Sequence, residues 1–187
     1  FGISYMVPFA KDLGFGPLIA ASSAGVLSII NGTGRTVTGY ISDRLGRKQT
    51  LLIVLLVSAV SLVGLLYAGK AHNEIGFLCF AFLVGFGGGA FYPMFASLTP
   101  DYFGENNNAS NYGLIYSSKL LGSVVGIGVG ASVIDAWGYT GAYWLAAASA
   151  LVSAAIACLF RQPGRQVPAA KTSASVADRS LTPTLAD

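Results

Sequence analysis

NGTGRTVTGYISDRLGRK, residues 31–48, sets one arginine inside an apolar run and, eight residues later, crowds Asp43, Arg44, Arg47 and Lys48 into a short charged turn. The clustered charges belong at a water interface. Arg35 does not, because the sequence is otherwise uncharged from Leu13 to Ser42. The run from Pro17 to Tyr40 holds 24 residues, which rise about 36 Å as a helix, more than the roughly 30 Å of a hydrocarbon core. It is long enough to cross a bilayer.

Working outward, four further apolar runs follow at 50–69, 75–98, 110–134 and 138–160, and a stub at 1–9 ends near Pro8, Lys11 and Asp12. That makes five full spans and one partial. Only 10% of the 187 residues are charged and 53% are hydrophobic, against about 25% charged in an ordinary soluble domain. The chain reads as an all-α integral membrane protein with the lipid bilayer as a partner. A net charge of +3 from scattered basic residues is no stripe for nucleic acid, which is excluded as a partner. Gly and Pro within the spans, as at Gly85–Gly89 and Pro93, suit membrane helices whose neighbours satisfy the freed backbone. From residue 161 to 187 the chain is rich in Pro, Ala, Ser and Thr, a composition that buries too little to fold alone. It is expected to be a disordered tail, with 1–160 as the helical domain.

Orientation follows from the Lys and Arg count. Arg44, Arg47, Lys48, Arg161, Arg165, Lys171 and Arg179 fall on one side and only Lys11 and Lys70 on the other, which puts the charged turn and the tail in the cytoplasm. Trp137, Tyr139, Tyr143 and Trp144 then gather at the outer end of the last two helices, where amphipathic rings favour the headgroup region. Gly122, Gly126 and Gly130, and Gly85 with Gly89, recur every four residues and predict faces for close helix approach.

Two basic residues belong to neither surface. Arg35 and Lys119 each stand mid-span, eight residues from Asp43 and Asn111, so both lie about 12 Å from the cytoplasmic helix ends. An ionisable side chain at that depth costs about 2.5–3.5 kcal/mol on the lenient insertion scale, and marks a functional site by default. Snorkelling or internal pairing is the bland explanation, but all eight acidic residues fall in loops, ends or tail. The expected partner is an anionic substrate or an acid elsewhere in the protein. Tyr116, three residues before Lys119, shares its helix face, and Tyr92 beside the glycine run is a second aromatic wall. Nothing indicates a metal or cofactor: Gly85–Gly89 lacks the Lys-Ser or Lys-Thr of a phosphate loop. An enzyme would need a nucleophile and base or metal ligands, and the single histidine, His72, stands in a short loop.

The pattern Gly39-x-x-x-Asp43-Arg44-x-Gly46-Arg47-Lys48 resembles the loop signature of the major facilitator superfamily, found between the second and third helices of each six-helix half. With four spans and a tail behind it, the chain is similar to the C-terminal half, helices 7 to 12 of twelve, with the first helix partial. The resemblance implies a missing N-terminal six-helix half as partner, and a conformational role for the loop residues. Asn31-Gly32-x-Gly34-Arg35, Asp101-Tyr102-Phe103-Gly104, Asn111-Tyr112-Gly113 and Lys119 narrow the likeness to the oxalate/formate antiporter group, related to the monocarboxylate transporters. What that group implies is substrate binding by Arg35 and Lys119, with Tyr92 and Tyr116 as walls and Asn31 beside them. Its implied activity is alternating-access exchange of small carboxylates in the cell membrane. Proton-coupled monocarboxylate carriers, the rival reading, have an aspartate where this chain has Asn31. A membrane sensor that binds an organic anion without carrying it is a third expectation.

Overall fold

The computed structural model describes residues 2–104 and 107–159, so the tail expected at 161–187 lies outside the described residues. Five helices follow in order: α1 Gly2–Asp12, α2 Pro17–Leu45, α3 Arg47–Lys70, α4 Glu74–Phe103 and α5 Asn108–Leu159. The helix breakers explain the joints. Pro17 occupies the first turn of α2, where its missing N–H would have been unpaired anyway. Asn73 caps α4, its side chain accepting a hydrogen bond from the Gly76 backbone N–H. Gly138, at φ 69°, interrupts α5 and divides it into arms of residues 108–137 and 139–159, as the break between two apolar runs predicts.

The helix ends are where the sequence reading is corrected. The second helix continues past Tyr40 to Leu45, and the fourth past Leu98 to Phe103. Asp43 and Arg44 therefore ride the last turn of α2, Arg47 and Lys48 the first turn of α3, and Gly46 alone joins them at φ 94°. The charged turn is a helix-to-helix corner. Pro8, expected to end the first helix, lies inside α1, which runs on to Asp12. By length and composition α3, α4 and α5 are apolar enough to cross a membrane among the described residues. At 29 residues α2 has the length, but Asn31, Thr33, Arg35 and Thr36 dilute its second half.

Two apolar clusters hold the helices together. Met6, Phe9, Phe15, Leu27, Leu65, Leu66 and Phe77 pack at the end away from the charged corner, and Tyr143 joins them. Nearer the corner, Leu51, Leu55 and Met94 pack with Ala154 and Ala157. Tyr143 is thus a core residue, 1% exposed and 4.3 Å between centroids from Phe9. It is not the interfacial anchor expected. Trp137, 71% exposed, and Trp144, half exposed, remain at the surface.

The closest helix approach is between α2 and α4. A methyl group on Gly85 would stand 2.6 Å from the Leu27 carbonyl oxygen, and one on Gly89 would strike the Asn31 carbonyl. Of the two glycine faces predicted, this one makes its contact. Gly122 and Gly126 face open space, because the first arm of α5 is exposed through residues 117–129, whereas Gly130, the third member of that face, is buried. Large apolar side chains such as Leu18, Val60, Leu114 and Leu159 are also exposed, a surface suited to hydrocarbon rather than to water.

Candidate functional site

Arg35 points from the diluted half of α2 toward α4, with its Cζ 4.1 Å from the centroid of the Tyr92 ring. Lys119, from the first arm of α5, brings its Nζ to 4.0 Å from the same centroid. Three helices meet at one aromatic ring. Lys119 is also 5.3 Å from the centroid of Tyr116, and the Tyr92 and Tyr116 rings are 6.0 Å apart. Asn31, one turn before Arg35, accepts a long hydrogen bond of 3.4 Å from Arg35 Nη2.

The close α2–α4 packing sets this geometry. Because Gly85 and Gly89 let α4 lie against Leu27 and Asn31, Tyr92, three residues on from Gly89, falls on the same stretch as Arg35. Any larger residue at Gly89 would move the ring away. A cavity of about 490 Å³ opens beside it, lined by Arg35, Tyr92, Pro93, Ala96, Tyr112 and Tyr116. That volume suits a small ligand.

Depth is shared as well. Arg35 stands ten residues before the end of α2 at Leu45, and Lys119 eleven after the start of α5 at Asn108, or about 15 and 16 Å in at 1.5 Å per residue. The continuation of α2 through the corner makes this deeper than the apolar runs suggested. The two unit charges stand no more than about 8 Å apart and at that separation repel by about 2 kcal/mol at an effective dielectric constant near 20. Contacts with an aromatic face return about 0.5–2 kcal/mol each. The ring offsets the repulsion but does not neutralise either charge. Among the described residues neither Arg35 nor Lys119 pairs with a carboxylate; the ion pair present joins Arg47 Nε and Asp101 Oδ2 at 2.6 Å.

The sequence thus named Arg35, Lys119, Tyr92, Tyr116 and Asn31, and the structure brings all five together. It missed Tyr112, which lines the cavity and lies 5.8 Å ring to ring from Tyr116. The signal was available, because Tyr112 precedes Tyr116 by four residues and so shares its face. No group of three or more His, Cys, Asp or Glu side chains gathers among the described residues in a way that would hold a metal.

The corner residues serve a second cluster about three helical turns away. Arg47 reaches Asp101 on the last turn of α4, and Lys48 Nζ donates to the Cys158 carbonyl oxygen at 2.8 Å. Lys48 thereby ties the first turn of α3 to the last described turn of α5. Arg44 lies over the Tyr40 ring at 4.5 Å, Asp43 is exposed, and Gly39 approaches the Pro93 side chain at ordinary contact distance. The pairing with Asp101 and the hydrogen bond to the Cys158 carbonyl were not foreseen, since neither lies at a fixed spacing from the motif.

A helical, lipid-suited bundle with an aromatic-walled cavity that Arg35 lines is the architecture of a membrane protein. The comparisons agree. The chain belongs to the Major Facilitator Superfamily, whose family model matches residues 1–186. It is 28% identical over 83% of its length to an oxalate:formate antiporter of Oxalobacter formigenes, covering 37% of that protein. It is 34% identical over 64% of its length to the uncharacterized MFS-type transporter YhjX of Escherichia coli, covering 31%. A probable inorganic phosphate transporter of Arabidopsis thaliana is 30% identical over 63% of the chain and 23% of its own length. The chain spans about a third of the length of the first two relatives.

Proposed function

We propose that this chain supplies the C-terminal half of a secondary transporter for small organic anions, carboxylates such as oxalate and formate, working by alternating-access exchange. The observation that carries the proposal is the meeting of Arg35 and Lys119 over Tyr92 at mid-depth, with neither paired to a carboxylate among the described residues. The guanidinium can fork onto one carboxylate and the ammonium can meet a second as a point charge. Two relatives whose names state a cargo carry anions, oxalate with formate in one and inorganic phosphate in the other. The other half of the carrier would close the open side of the cavity, and the charged corner with the chain's end would face the cytoplasm of a cell membrane.

Exchange follows from electrostatics. An empty site with two unmatched cations resists closure away from water, whereas a bound dianion matches both and lets the halves rock. Asn31 supports exchange over proton-coupled monocarboxylate uptake, because its amide holds Arg35 and carries no titratable proton. A sensor that binds without carrying is separated by flux. The test is calorimetric titration of oxalate into the purified full-length carrier containing this chain. Arg35→Gln and Lys119→Gln are each expected to weaken binding at least tenfold, and wild-type affinity in both variants would refute the site.

A further inference from the structure

We propose that Tyr92 is a positioning residue, whose ring holds Arg35 and Lys119 at one fixed separation so that an anion with two charged ends meets both cations at once. This rests on the anion-exchange reading and deepens it by giving the site a device for preferring dianions. With Arg35 Cζ at 4.1 Å and Lys119 Nζ at 4.0 Å from one centroid, the two groups cannot stand more than about 8 Å apart. Among the described residues, Tyr92 is the ring that both cations share. They come from α2 and from the first arm of α5, which is exposed along nearly its whole length, and like charges on such helices drift apart unless something attracts both. The π face does so without being an acid, so it holds the cations without occupying them as a carboxylate would.

The donors remain free. An arginine over an aromatic ring keeps N–H groups for a carboxylate, and an ammonium has three donors that cannot all aim at one face. Asn31 secures Arg35 from its own helix, and Tyr116 offers Lys119 a second, more distant ring. The shared ring is what sets the two positions relative to each other. Two-point capture gains its strength from that pre-set distance, because the second contact forms at high effective concentration only when the spacing is right. A monoanion needs one cation and gains little from the arrangement.

The experiment compares oxalate with formate binding to the full-length carrier, by calorimetry or intrinsic fluorescence, in the wild type, Tyr92→Phe and Tyr92→Leu. Leucine removes the π face; phenylalanine keeps it. Tyr92→Leu is expected to weaken oxalate binding about tenfold while changing formate binding less than threefold, and Tyr92→Phe to keep the wild-type ratio. Formate binding in the leucine variant also reports that its site is folded. Equal losses for both anions, no loss for either, or the same collapse of the ratio in Tyr92→Phe would each overturn the proposal. If instead Arg35→Gln and Lys119→Gln bind oxalate as the wild type does, the anion site itself is refuted and the role of Tyr92 falls with it.

Discussion

Arg35 and a lysine at its position would carry the same charge, but only the guanidinium is planar enough to lie over Tyr92 and still fork onto a carboxylate. Arg35→Lys is therefore expected to lower kcat/KM for oxalate exchange at least tenfold at unchanged expression, as measured by initial rates in proteoliposomes. At the corner, Gly46 sits at φ 94°, where a side chain is strained by roughly 1–2 kcal/mol. Gly46→Ala should lower the thermal midpoint of the detergent-purified carrier; an unchanged midpoint would mean that the corner relaxes. At this scale much was legible: an arginine and a lysine deep in apolar runs are costly enough to announce themselves. That they share Tyr92 was not, because the sharing depends on how three helices are rotated about their axes, which apolar periodicity leaves open. Tyr143 shows the same ambiguity from the other direction. A tyrosine near a helix end suits either the headgroup region or a core, and here Phe9 decides it.

Among the elements, the α2–α4 contact is the one on which the site depends. Leucine at Gly89 would occupy the space of the Asn31 carbonyl, separate the helices and carry Tyr92 away from Arg35. Gly89→Leu is expected to abolish oxalate binding, whereas Gly122→Leu, whose side chain meets open space within this chain, should leave the α2–α4 contact intact; disulfide trapping between α2 and α4 reports that contact directly. The spacing of four read both glycine faces alike, because it shows that close approach is permitted and not which helix approaches. Span lengths were legible from the apolar runs, and the break at Gly138 from the gap between two of them. The helix ends were not, since α2 and α4 continue as helix through polar residues beyond the apolar runs.

The corner also ties elements together at the far end. An exposed pair such as Arg47 with Asp101 contributes about 0–1 kcal/mol, too little to matter for folding but enough to shift a carrier poised between two states. Arg47→Asp and Asp101→Arg should each alter the ratio of inward-open to outward-open carrier, measured by spin-label distances, and the double exchange should restore it. Additive effects in the double variant would show that the pair does not couple α3 to α4.

For the whole molecule, the proposed exchange rests on net charge: Arg35 and Lys119 meet over Tyr92 with no carboxylate partner among the described residues, and the carrier is expected to cross between states only with an anion bound. Tyr92 and Tyr116 cushion those cations without neutralising them, so the aromatic walls do not remove the barrier to closure. The most direct test is uptake of labelled oxalate by the full-length carrier in vesicles that hold unlabelled oxalate or buffer alone, with and without an acid gradient. The account predicts rapid uptake only into oxalate-loaded vesicles, lost in Arg35→Gln and Lys119→Gln. Uptake into empty vesicles at a comparable rate, driven by the proton gradient, would contradict it.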